Sequence, residues 1–194
     1  MQRKELKRQL FHATLASTIV AAIHFNIITP FMVFIILVVG VLFSYIQLKY
    51  PLPIITWFVK EFERKGEHPG KGAICLFIGA LLALYLFPRD IALASIMILA
   101  LGDSISHYYG RFYGKRKHPL NKSKLLEGSI VGTIAAFAGA ALFIPFLQAF
   151  IAAFVAMITE AMEIEFNNRI IDDNISIPLV AGVTILLLRK FIFV

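Results

Sequence analysis

Charge is scarce in this chain, and cysteine is almost missing. Asp, Glu, Lys and Arg supply 16% of its 194 residues and hydrophobic types 59%, with a mean hydropathy of +0.79. An ordinary soluble domain carries about 25% charged residues. A water-soluble fold of this length could not hide so much apolar surface, so lipid is the solvent implied. The one cysteine, Cys75, excludes an intrachain disulfide and a thiolate metal cluster. It lies in an apolar run and reads as a packed thiol. A Walker-type phosphate loop is also missing, since no G-x-x-x-x-G-K-[ST] segment occurs.

What is present is a series of apolar runs separated by basic loops. Seven runs are long enough to suggest spanning helices: 8–26, 30–49, 72–88, 90–110, 127–144, 146–165 and 175–193. Pro30, Pro88, Pro145 and Pro178 are expected at or near their ends, where proline is best tolerated. The segment 51–62, PLPIITWFVKEF, is too short and too charged to cross, and reads as an interfacial helix with Trp57 at headgroup depth. The expectation is one all-α domain over 1–194, a polytopic transmembrane bundle of about seven spans.

The net charge of +7 fits membrane topology better than nucleic acid, because the cations lie between apolar runs. With the N-terminus in the cytoplasm, one side collects Arg3, Lys4, Lys7, Arg8, Lys49, Lys60, Arg64, Lys65, Lys71, the six cations of 111–124, and Arg169. Only Arg89, Arg189 and Lys190 fall on the other side. The basic start before an apolar stretch can mimic a secretory signal, but the chain goes on to further spans, so it reads as an uncleaved first helix. The expected location is a multi-pass membrane protein whose charged motifs face the cytoplasm.

The acids share that side. Asp103 lies about two turns before the end of the fourth run, and Glu127 opens the fifth. Glu160 and Glu163 stand three apart near the end of the sixth, and Asp172, Asp173 and Asn174 lead into the seventh. Asp90 is the lone acid opposite. An ionisable group at membrane depth costs a few kcal/mol and marks function by default. Each acid also has a plainer reading: Asp103 as a salt-bridge partner, Glu127 as a helix-start charge, Asp172–Asp173 as a solvated turn, Glu163 and Glu165 as rim charges. Together, carboxylates beside lysines suit Mg²⁺ and phosphate, because carboxylate oxygens hold the cation and Lys or Arg neutralise the phosphates. The loop GRFYGKRKHPLNKSKLLEGS also carries Gly110, Gly114 and Gly128, which permit close backbone approach.

The segments LGDSISHYYGRFYGK, NKSKLLEGS and EAMEIEFNNRIIDDNISIPL, in this order and spacing, resemble the CTP-dependent lipid kinases. That family includes dolichol, phytol and farnesol kinases and the yeast-type diacylglycerol kinase, and is related to membrane CTP-dependent cytidylyltransferases. KRQLFH and GEHPGKGAICLFIGALL resemble its earlier motifs. The resemblance implies transfer of the γ-phosphate of CTP to a lipid alcohol with Mg²⁺ or another divalent cation. It implies catalytic roles for Asp103, Glu160 and Asp173, and metal roles for Asp103, Asp172 and Asp173. Nucleotide contacts are implied for Lys7, Arg8, His12, Arg111, Lys115, Lys122, Lys124, Glu127, Gly128 and Asn174. His107 and His24 are expected to be structural, although Ser106-His107 departs from the small residues usual after the Gly-Asp pair. The implied partners are CTP, a lipid alcohol and the membrane, without nucleic acid; homo-oligomerisation is open. The alternatives are a cytidylyltransferase making a CDP-lipid, an ion-coupled transporter, and a purely structural membrane protein.

Overall fold

The structure is a computed structural model that describes residues 2–63, 66–162, 165–166 and 169–191. Arg64, Lys65 and Glu163 lie outside the described residues, as do the side chains of Glu165 and Arg169. Eight helices make up the described fold: α1 Gln2–His24, α2 Pro30–Lys49, α3 Pro53–Phe62, α4 Lys71–Leu86, α5 Arg89–Tyr113, α6 Leu126–Ala140, α7 Phe146–Met162 and α8 Asp173–Phe191. A short antiparallel ladder, Glu165–Phe166 with Arg169–Ile170, joins α7 to α8.

Each of the seven apolar runs holds a helix over most of its described residues, although Glu165, expected to end the sixth run, lies in the short ladder instead, and 51–62 holds the short α3. Three helices, α2, α5 and α8, are long and apolar enough to cross a membrane. The apolar helices α4, α6 and α7 have 16, 15 and 17 residues, or about 22–26 Å of rise, short of a hydrocarbon core of about 30 Å. Helix α1 starts six residues earlier than its apolar run because the basic turn Arg3–Arg8 continues the helix.

Helix α5 is the axis of the bundle: 72% of its apolar window is buried, against 6% for α2. Helix α2 therefore presents Phe31, Phe34, Ile35, Val38, Leu42 and Phe43 outward, an apolar surface that water would not tolerate. Packing around α5 relies on small residues, as expected where lipid gives no hydrophobic drive between helices. Ala149, Ala152, Ala153 and Ala156 of α7 are fully buried. Gly128 of α6 meets α5 so closely that a Cβ would lie 2.5 Å from the Ser106 carbonyl oxygen and 2.8 Å from the Gly110 Cα.

One proline departs from expectation. Pro30 opens α2 and Pro88 caps α5, but Pro178 lies inside α8. It has no N–H to offer the Asn174 carbonyl four residues back. That carbonyl instead faces Gly79 of α4, where a Cβ would come within 2.0 Å of it. The broken bond and the glycine together let the start of α8 press against α4.

Inside α5 the segment Ile98–Asp103 is a π-helix. An extra residue in a helix turns every later side chain by about 100° around the axis, and such insertions are frequent at functional sites. Here the insertion ends at Asp103, and Asp103 and His107 then share one face of α5.

Candidate functional site

The charged ends of α1, α4, α5 and α8 enclose a polar cavity of about 370 Å³. Asp103 and His107 come from α5, Asp172, Asp173 and Asn174 from the start of α8, and Lys124 from the loop between α5 and α6. Arg8 of α1 and Lys71 of α4 close it from the other side. A second lobe of about 230 Å³ reaches Arg111, Ser123 and Glu160, and His107 and Lys124 line both lobes.

Lys124 enters because its loop folds back as a hairpin. Lys117 bridges Leu125, the His118 N–H donates to the Lys124 carbonyl at 2.9 Å, and the Leu126 N–H donates to the Arg116 carbonyl at 2.9 Å. The Glu127 carboxylate fastens the base of this hairpin by accepting the Lys115 N–H at 3.1 Å and the Arg116 N–H at 3.2 Å. Lys115, Arg116, Lys117 and Lys122 then face outward, and Lys124 turns in.

The Lys124 ammonium lies 2.7 Å from Glu160 Oε1 and 3.8 Å from Asp173 Oδ2, and also donates to the Glu160 carbonyl. Burial works against its charge, yet Glu160, Asp173 and Asp103 outweigh burial and hold Lys124 above its ordinary value. Glu160 itself is fully buried. His107 Nδ1 stands 3.1 Å from Asp103 Oδ1, 3.0 Å from the Asp103 carbonyl oxygen and 3.8 Å from Glu160 Oε1. Two buried oxygens, Asp103 Oδ1 and Glu160 Oε2, receive no hydrogen bond from protein, and neither does the buried Arg8 Nε find an acceptor.

Asp172 organises the start of α8. Its Oδ1 accepts the Asn174 backbone N–H at 3.1 Å and side-chain amide at 2.8 Å, and its carbonyl accepts from Ile175 and Ser176. This Asx turn leaves Asp173 aimed at Lys124. Buried His12 packs close to Asn174 and to Gly72, where a Cβ would meet the ring at 2.9 Å.

Most residues expected at a site are thus brought together: Arg8, Asp103, Lys124, Asp172, Asp173 and Asn174 line the main cavity, with Glu160 and Arg111 on the second lobe. Others stand apart. Lys7 is exposed and paired with Glu61, Lys115 and Lys122 face outward, Glu127 is spent on the hairpin, and Gly128 on helix packing. Sequence reasoning missed His107, Glu63 and Lys71 as lining residues. The spacing of His107 four residues after Asp103 was the available signal; for Glu63 and Lys71, on segments remote in sequence, there was none.

These features define a helical membrane protein with an ion-rich cavity at one end. Neither a protein-family model nor a solved structure gives a match. Among known proteins, the chain is similar to an uncharacterized protein of Methanocaldococcus jannaschii, 29% identical, covering 92% of this chain and 91% of that one. It is also 30% identical to a probable phytol kinase 1, chloroplastic, of Oryza sativa over 62% of its length and 44% of the rice protein's. A CTP-dependent diacylglycerol kinase 1 of Schizosaccharomyces pombe is 28% identical, covering 66% of this chain and 64% of the yeast protein. The chain thus spans less than two thirds of either kinase. The kinases among these relatives support the resemblance to CTP-dependent lipid kinases read from the sequence motifs.

Proposed function

We propose that this protein is a CTP-dependent lipid kinase, transferring the γ-phosphate of CTP to the hydroxyl of a membrane lipid alcohol. The carrying observation is the cavity itself, where acids from α5, α7 and α8 meet Lys124, Arg8 and Arg111 at one end of an apolar bundle. Its position suits a soluble nucleotide meeting a lipid headgroup. We read the bundle as seven spans with the N-terminus and the cavity on the cytoplasmic side, because the basic loops gather at that end.

In this reading the triphosphate lies along the 111–128 loop. Lys124, Arg8 and Arg111 neutralise its oxygens, and Arg8 Nε is a buried donor without an acceptor. Phosphoryl transfer needs mostly positioning and charge stabilisation. The residues fit a divalent cation, since Asp103, Glu160 and Asp173 gather around Lys124, Asp172 lines the same cavity, and two of these buried carboxylate oxygens lack a hydrogen-bond donor. Asp103, Asp172 and Asp173 would hold it, and when bound it would supply charge neutralisation at the phosphates. The family implies Mg²⁺. A carboxylate of this cluster that the cation does not engage orients the lipid hydroxyl and accepts its proton. The lipid oxygen bonds to the γ-phosphorus as the bond to the β-phosphate oxygen breaks, and CDP leaves.

An apolar groove of about 560 Å³ between α2 and α3 ends at Pro69–Gly70, next to Lys71 of the cavity, and suits the hydrocarbon tail. The acceptor is a polyprenol, dolichol or related prenol, or diacylglycerol. CTP labelled at the α or γ phosphate, offered with a panel of these alcohols, tests the reading. A γ-labelled lipid is the expected result. An α-labelled lipid would mean a cytidylyltransferase, and no labelled lipid from any alcohol would reject both.

A further inference from the structure

The acid cluster contains a ligand set different from the three aspartates that the family resemblance suggests. Asp103, His107 and Glu160 each offer one ligand atom, and these atoms lie within 4.8 Å of one another. The separations are informative. Two ligands about 2.1 Å from a shared ion, at right angles, lie about 3 Å apart; His107 Nδ1 stands 3.1 Å from Asp103 Oδ1. The Nδ1 to Glu160 Oε1 separation of 3.8 Å fits a wider angle in the same coordination sphere.

A salt-bridge explanation accounts for only part of this cluster. His107 Nδ1 is within hydrogen-bonding distance of the Asp103 carbonyl oxygen, 3.0 Å away. The nearby Asp103 Oδ1 remains without an aligned donor, and so does Glu160 Oε2 on a side chain with no exposed surface. Lys124 reaches Glu160 through Oε1 and leaves Oε2 unmatched. A buried carboxylate oxygen without a donor is expensive, at about 1–3 kcal/mol or more. A cation beside Asp103 Oδ1 would give that oxygen a partner, with Glu160 and His107 close enough to share the ion.

We propose that Asp103, His107 and Glu160 form a divalent-cation site, with His107 as an imidazole ligand. The proposal rests on the reading of this cavity as a cation and phosphate site. Imidazole changes which cation is preferred. An all-oxygen set suits Mg²⁺, whereas a nitrogen ligand beside two carboxylates favours Mn²⁺, Co²⁺ or Zn²⁺. The site therefore binds Mn²⁺ more tightly than Mg²⁺.

The test uses Mn²⁺ alone, without nucleotide, added to the purified full chain in detergent. Free Mn²⁺ is measured by electron paramagnetic resonance, and bound Mn²⁺ by pulsed detection of coupled ¹⁴N. The expected result is bound Mn²⁺ with imidazole nitrogen modulation, poorly displaced by Mg²⁺. In His107→Ala and His107→Gln the modulation disappears and Mn²⁺ affinity falls by about tenfold or more. Thermal unfolding followed through the single thiol of Cys75 checks that at least one variant folds. Failure of Mn²⁺ to bind the folded wild type, binding without nitrogen modulation, or modulation that survives in a folded variant would each overturn the proposal. Phosphate transfer is scored separately, so nitrogen-coupled Mn²⁺ without lipid phosphorylation would keep the site and reject the reaction.

Discussion

The two ends of the bundle treat charge differently. At the end holding Arg89, Asp90 and Arg189, each group has a dedicated partner. Arg189 donates to Asp90 Oδ2 at 2.6 Å and to Gln148 Oε1 at 3.1 Å, while Arg89 donates to the Ile23 and His24 carbonyls at 2.6 and 2.9 Å. At the other end, Asp103, Glu160 and Asp173 crowd Lys124 and His107, and buried polar atoms of Asp103, Glu160 and Arg8 lack hydrogen-bond partners. Ions matched one to one tie helix ends together. Ions left mismatched in a cavity are poised for something that arrives from outside.

Substitutions at the two ends should therefore fail differently. The largest effect is expected for Asp103→Asn: loss of phosphate transfer by about a thousandfold, with the protein still inserted and folded. Full activity in that variant, measured with γ-labelled CTP, would remove Asp103 from the chemistry. Lys124→Met should lower transfer by about a hundredfold, and it leaves Glu160 as a buried charge without its ammonium partner, so a lower Tm should accompany it. Arg189→Met should leave transfer unchanged and lower stability by about 1 kcal/mol, because its ion pair is partly exposed. A few degrees of Tm would be the readout.

The smallest effect concerns Glu63, on the rim of the cavity. Burial raises its carboxyl above the ordinary value, so the folded state holds this proton more tightly than the unfolded chain does. Stability from this group therefore falls as pH rises through and above the ordinary carboxyl range. Glu63→Gln should raise Tm slightly at pH 7, and the gain should vanish below about pH 4, where both states are protonated. A constant gain at all pH values would break the assignment of the effect to ionisation.

The same contrast explains what was readable in advance. The helices were legible because apolar runs of near-spanning length leave little alternative, and each of the seven holds a helix, though the ends differ by a few residues. Asp103, Glu160, Asp172 and Asp173 were legible as acids placed where acids are expensive. The roles of Glu127 and Gly128 were not, because nothing local tells a carboxylate that fastens a hairpin from one that meets a ligand, or a glycine that admits a phosphate from one that admits a helix. Pro178 looked like a helix boundary, and only its packing against α4 through Gly79 shows why α8 continues around it. His107, expected to be structural, lines the cavity because the π-segment Ile98–Asp103 sets its face of α5 and Glu160 comes from a remote helix, and neither has a local sequence signature.

Hydrogen–deuterium exchange on the purified chain, with and without CTP, tests most directly whether the mismatched end is the end that works. Slower exchange across the 111–128 loop and the 171–176 turn, with no change at 86–90 and 186–190, is the predicted result. Protection confined to the paired end, or none anywhere at saturating CTP, would contradict it.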